Sequence, residues 1–275
     1  MGKQSRRVIN LLITSTQLST QATTAVIAER AGVNASTVVR TAHALGFDGW
    51  PALRSGIRTR YLATLSAHQV LAEHNGSVSD PVTGAIQQDL RNLEALAHGL
   101  DVADVHRAAH LLLESRRVVV TGSGTFAAPG LQLTHTCTTL GLDFILERHG
   151  GTQLANRVAT LTTDDCFVIF SFWRLPRELL AAARIARDNG ARVIVVTDRR
   201  SSQLVPLADV TMVIPSEGVA ALPSITPAIV VVHALTAKMG WIGGQEVRGP
   251  HQPHRSHLGT DGHLRRPRLI TRTPR

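Results

Sequence analysis

The stretch Thr23–Arg54, TTAVIAERAGVNASTVVRTAHALGFDGWPALR, decides how this chain is read. It spells a helix, a tight turn and a second helix. Thr23 or Thr24 caps the first helix, and Val26, Ile27, Ala28 and Ala31 give it a small apolar face. Gly32 ends it, since glycine tolerates the left-handed conformation that a helix C-terminus often needs. Val33 plugs the corner, and Asn34 is a good N-cap for the second helix. Val38, Ala42 and Leu45 recur at helical spacing and are expected to face inward, and Gly46 stops the helix. Two short helices held at a steep angle form the pattern of a DNA-binding helix-turn-helix.

On the outward face of the second helix we place Asn34, Ser36, Thr37 and Arg40. A helix entering the major groove presents its N-terminal residues to base edges, and its free amides suit a phosphate. Arg40 fits a guanine edge or a phosphate equally well. Thr37 and Arg40 are the leading contacts, with Asn34 and Ser36 near the backbone. The alternative is a helical hairpin that merely packs. Charge favours the DNA reading. Residues 1–60 carry a net +6, residues 61–240 a net −2 and residues 241–275 a net +5. A basic terminal module beside a near-neutral one is the footprint of a polyanion binder.

The chain of 275 residues is long enough for two domains, and 43% hydrophobic with 18% charged residues fits a folded protein. Cys137 and Cys166, the only cysteines, sit in apolar surroundings. They imply neither a disulfide scaffold nor a zinc site, so a cytoplasmic setting is the simplest. No apolar run approaches membrane-spanning length. The start, with Val8, Ile9, Leu11 and Leu12, reads as a helix supporting the hairpin rather than a signal peptide.

From Tyr61 to about Arg117 the chain reads as helical and connecting, with a break at Asn75-Gly76-Ser77 and Asp80-Pro81. Ile86, Leu90, Leu93 and Leu96 follow one helical period, and Val105, Ala108, Ala109 and Leu112 another. After Val118 the pattern changes. Short apolar runs at Val118–Thr121, Asp143–Leu146, Cys166–Ser171, Val193–Thr197 and Val210–Ile214 alternate with helical segments. This predicts a three-layer α/β domain with a five-stranded parallel sheet. Ligands in such sheets sit beyond the carboxyl ends of strands, so the loops after the first, third and fourth strands are the ones to inspect. The expected divisions are 1–60 for the DNA-binding head, 61–116 for a connector that also pairs subunits, 117–240 for the α/β domain, and 241–275 for a basic, disordered tail. In that tail His251, His254 and His257 are poor evidence for a metal site, and its arginines would add non-specific DNA affinity.

AGVNASTVVRTAHALGFDGW followed by VVVTGSG and by ELLAAARIARDNGARVIVVTDRRSSQLVPLADVTMVIP resembles the RpiR/MurR family of bacterial transcriptional regulators, whose second half is a SIS (sugar isomerase) domain. The resemblance implies a ligand-responsive regulator, repressor rather than activator, that senses a small anionic metabolite such as a sugar phosphate or related carboxylate. Its partners would be a double-stranded DNA operator and a second copy or more (homodimer or homotetramer), with no cofactor. It places ligand contacts at Gly122, Ser123, Gly124, Thr125, Ser171, Arg174, Arg177 and Thr197.

The chain departs from the family's phosphate cradle. Phe126 stands where a serine is usual. In the loop Ser171-Phe172-Trp173-Arg174-Leu175-Pro176, tryptophan, arginine and proline replace the second serine, the glycine and the threonine. Two readings follow. Arg174 and Arg177 bind an anion directly, as guanidinium forks do. Otherwise they pair with Glu178 or an aspartate and the loop is structural. Two other functions compete: a SIS-type sugar-phosphate isomerase, and a DNA binder that uses the α/β domain only to oligomerise. An isomerase needs a positioned base. Glu147, His149, Glu178, Glu217 and His233 are the candidates, in no recognisable catalytic arrangement.

Overall fold

The computed structural model describes residues 2–74 and 80–246. The break at Asn75-Gly76-Ser77 and the tail beyond 246, with its histidines and arginines, lie outside the described residues.

Five helices build the head: α1 (Lys3–Thr14), α2 (Thr16–Gln21), α3 (Thr24–Ala31), α4 (Ala35–Ala44) and α5 (Trp50–Thr64). Thr23 caps α3 through the Val26 amide at 3.4 Å, and Gly32 closes it at φ +62°. Asn34 caps α4, its Oδ1 accepting from the Thr37 amide at 2.9 Å. Val8, Leu12, Ile27, Val38, Ala42, Trp50 and Leu53 form the core. The inner face of α4 differs from expectation. Leu45 is 41% exposed, and Thr37 and Thr41 are buried beside Val38 and Ala42. Burial of the threonines is tolerated because their hydroxyls are hydrogen-bonded; Thr41 donates to the Thr37 carbonyl at 2.7 Å.

The connector holds α6 (Ala67–His74), α7 (Pro81–Gly99) and α8 (Val102–Glu114). Asp80 and Asp101 cap α7 and α8. Val105, Ala108, Ala109 and Leu112 are buried as their spacing predicts, whereas Ile86 and Leu90 stay largely exposed.

Five parallel strands follow: β1 (Arg117–Gly122), β2 (Phe144–Glu147), β3 (Asp165–Ser171), β4 (Arg192–Thr197) and β5 (Val210–Val213), in the order β2-β1-β3-β4-β5. Alternation along the strands splits the core in two. Val118, Val120, Val168, Phe170 and Ile194 face α8, α9 (Ala128–Thr139) and α12 (Thr226–Glu246). Val119, Phe167, Ile169, Val193 and Val195 face α10 (Gly151–Ala159) and α11 (Arg177–Asp188). The result is the expected three-layer α/β sheet, buried on both faces. The α12 helix runs to Glu246, past the point where the tail was expected to begin. The chain leaves β1 for β2 on one side and returns to β3 on the other, so the order reverses around β1 and β3, where such folds place ligands.

Candidate nucleic-acid interface and effector site

On α4, Asn34, Ser36 and Arg40 are exposed and Thr37 is not. The outward position expected for Thr37 is therefore corrected. Its hydroxyl lies 2.6 Å from Asn34 Oδ1 and 3.3 Å from Gln4 Oε1, and it accepts from Arg40 Nη2 at 3.2 Å. Ser36 also donates to Asn34 Oδ1, at 2.9 Å. Thr37 thus ties the cap, α1 and the Arg40 side chain together while Arg40 keeps its exposed position. The first turn of α4 carries no acidic residue to oppose an anion.

At the carboxyl edge of the sheet the loop after β1 tightens into a 3-10 turn at Gly124–Ala127. Gly122 is required there, since a Cβ would lie 2.4 Å from the Phe126 carbonyl oxygen. Ser123 is half-buried, Gly124 and Thr125 are exposed, and Ser171 and Thr197 are buried at the ends of β3 and β4. Phe126, in the family's serine position, is buried against Phe172 with ring centroids 5.6 Å apart. An aromatic ring packed on Phe172 therefore stands where the family has a serine hydroxyl. Arg177 stands exposed at the first position of α11.

Arg174 goes elsewhere. Its Nε donates to the Ala63 carbonyl at 3.2 Å and its Nη2 to the Leu65 carbonyl, at the end of α5. Its guanidinium lies 4.4 Å over the Trp173 ring, whose Nε1 donates to the Leu62 carbonyl at 2.9 Å. Neither expected role, anion contact or pairing with a carboxylate, describes this geometry. A helix C-terminus leaves carbonyls unsatisfied, and a cation there also meets the negative end of the helix dipole. Trp173 adopts φ +62°, unusual for a bulky residue. The strain is held by Asp198 Oδ2, which accepts from the Trp173 amide at 2.7 Å, and by Arg199, which donates to its carbonyl.

The carboxylates considered as catalytic bases are engaged in the fold. Buried Glu147 accepts from the His149 amide at 2.9 Å, Glu178 from the Gly151 amide at 3.0 Å, and Glu217 pairs with Arg58. His233 meets Gln132 at 2.6 Å. Among the described residues no cluster of three or more His, Cys, Asp or Glu could hold a metal, and no helix is long and apolar enough to cross a membrane. Burial pushes the Cys137 thiol up to about 12 and the Cys166 thiol up as well. Sequence reasoning missed Arg58 and His74, which line a cleft between the connector and the sheet edge. Arg58 falls at the end of the 1–60 head and His74 in the connector, and no local signal marked either.

The model of the helix-turn-helix domain of the rpiR family matches residues 1–64, and that of the SIS domain matches residues 111–238. The HTH-type transcriptional regulator HexR of Pseudomonas aeruginosa is 28% identical over 201 residues, covering 72% of this chain and 69% of that protein. The sugar isomerase domain of an RpiR transcription factor from Sphaerobacter thermophilus superimposes with a TM-score of 0.57 at 26% identity, over 60% of this chain and 93% of that one. The NanR protein of Vibrio vulnificus, complexed with ManNAc-6P, shares the fold over 90% of both chains, with a TM-score of 0.58 at 17% identity. A capped α4 presenting Arg40, a five-stranded parallel sheet behind it and these matches at both ends agree: the chain belongs to the RpiR family of helix-turn-helix transcriptional regulators, with a SIS domain behind its helical head.

Proposed function

We propose that this protein is a ligand-responsive repressor acting in the cytoplasm on a double-stranded DNA operator, as a homodimer or homotetramer whose paired heads read two half-sites. The exposed Arg40, steadied by Thr37 at the start of α4, is the observation that carries this reading. Residues 1–60 serve as the DNA-binding unit, 61–116 as connector and pairing surface, and 117–240 as the sensor. The exposed apolar residues Val82, Ile86 and Leu90 on α7 support a pairing role for the connector.

The effector is a small anion, a sugar phosphate or related carboxylate. It sits beyond β1 and β3 against Ser123, Gly124, Thr125 and Ser171, with Gly122 and Thr197 shaping the floor. Arg177 and the free amides at the start of α11 supply the positive charge. Arg174 acts instead in transmission, since its loop grips α5. The known ligand of the NanR relative, ManNAc-6P, supports a phosphorylated sugar as the class to screen first. Against the isomerase alternative stands the engagement of Glu147, Glu178 and Glu217 in structural contacts.

The test is a selection of DNA fragments bound by the purified protein at fixed salt, with Arg40→Ala alongside. A paired half-site, relaxed or lost in the variant, supports the reading. Sequence-blind, salt-sensitive binding alone overturns it, because the basic ends explain that by themselves.

A further inference from the structure

The first two turns of α1 carry Lys3, Arg6 and Arg7, all exposed. The first turn of α1 holds no acidic residue, and among the described residues none of the three side chains has a hydrogen-bond or ion-pair partner. Other arginines are engaged: Arg58, Arg107, Arg187 and Arg199 each meet a carboxylate. The acids of residues 1–60, Glu29 and Asp48, lie on α3 and beyond the end of α4.

These cations do nothing for the fold. Positive charge near a helix N-terminus meets the positive end of the dipole, and like charges four residues apart repel. A polyanion lying across them turns both costs into attraction.

Placement names the polyanion. Gln4 Oε1 lies 3.3 Å from the Thr37 hydroxyl, so the start of α1 sits against the first turn of α4. Arg7 follows Gln4 by three residues and Lys3 by four. The two cations therefore share one face, beside Gln4 and away from buried Val8 and Leu12. Arg6, two residues after Gln4, falls on the far side of the helix. On α4 the exposed Arg40 stands three residues after Thr37 and reaches its hydroxyl at 3.2 Å. One contact between helix starts thus sets Lys3 and Arg7 beside the helix that carries Arg40. A helix entering the major groove brings its neighbour against the backbone at the groove's edge.

We propose that Lys3 and Arg7 grip the phosphate backbone of the duplex beside the groove that α4 enters, with the Gln4–Thr37 contact setting the register between the two helices. The inference rests on α4 as the reading helix and adds a second helix to the interface. Phosphate contacts position a protein without carrying sequence information. The grip of α1 therefore adds affinity for any duplex and leaves the choice of sequence to α4.

The test titrates the full-length protein into a labelled duplex of mixed sequence at several salt concentrations, with Lys3→Gln/Arg7→Gln alongside. Arg91→Gln/Arg184→Gln, which removes two exposed charges outside the head, is the control. Two lost phosphate contacts should lower affinity and reduce the salt slope by about two units, with the control at the wild-type slope. The thermal midpoint of Lys3→Gln/Arg7→Gln should not fall. An unchanged slope, an equal drop in the control, or a lowered midpoint overturns the proposal. So does an altered base preference in the selection of bound fragments, which would make α1 a reader. Should the double variant fail to fold, Arg7→Gln alone carries the test, with a loss of about one unit expected. The mixed-sequence duplex needs no operator, so failure of the Arg40 selection and failure of this grip are read separately.

Discussion

The indole N–H of Trp173 donates to the carbonyl of Leu62 across 2.9 Å, joining a loop at the carboxyl edge of the sheet to the last turn of α5. The other end of α5 is fixed in the head, where Trp50 donates to the Ala22 carbonyl at 3.0 Å. One helix of 15 residues therefore spans from the helix-turn-helix head to the loop after β3. Arg58 strengthens the attachment through Glu217 on the loop after β5.

Cutting this clasp should loosen the head without harming the sheet. Trp173→Phe keeps the ring and removes its donor, and Arg174→Ala frees two more carbonyls. Each lost hydrogen bond is worth about 0.5–1.5 kcal/mol. The double variant should be cut faster by protease near the end of α5, with the sheet domain's unfolding transition nearly unmoved. Equal cleavage rates would show that the clasp restrains nothing.

Arg40→Ala should weaken operator binding by about 1–3 kcal/mol and relax preference at one base position. Titrations at several salt concentrations check this. An even loss across sequences, with the salt slope smaller by about one unit, would assign Arg40 to a phosphate instead.

Thr37→Val should act through stability and posture. Removing the buried hydroxyl costs the head about 1 kcal/mol and frees Arg40 from its support. Asn34→Ala should cost about 0.5–2 kcal/mol through the lost cap. Thermal unfolding measures both. Thr37→Val should lower DNA affinity while leaving the preferred sequence unchanged, and an altered base preference would place Thr37 in the interface after all.

Acid should destabilise the junction. His74 has a lowered folded pKa, so between that value and the unfolded value near 6.5 the unfolded chain binds the proton and the folded chain does not. Stability contributed by the neutral ring is full above pH 6.5 and is lost as pH falls through the folded pKa. Arg58 opposes the protonated ring, while the Ala220 carbonyl, Glu217 and Glu73 temper the shift. Denaturant melts of wild type and His74→Gln across pH 5–8 test this, and parallel curves would remove His74 as a source of the slope.

The sheet was legible because burial on both faces leaves continuous apolar runs: Val118–Val120, Phe167–Phe170 and Val193–Val196 are all fully or nearly fully buried. The head was legible through its caps, which act within a few residues. Leu45 was expected inside and is exposed, and Thr37 was expected outside and is buried, because apolarity alone cannot foresee that a threonine hydroxyl finds its partners within the same turns. Arg174 was misplaced for a different reason. Its partners Ala63 and Leu65 lie more than 100 residues earlier, and no local pattern encodes that meeting. His74 escaped notice likewise, its partner Ala220 being 146 residues away.

The grip of Trp173 and Arg174 on α5 also limits how freely such regulators can exchange parts. A helical head transplanted from a relative would arrive with its own α5 end, and carbonyls displaced by even one turn, about 5.4 Å, would miss both donors. A working chimera must carry the 171–176 loop together with the helix it holds, so the unit of inheritance here is a matched pair rather than an interchangeable module.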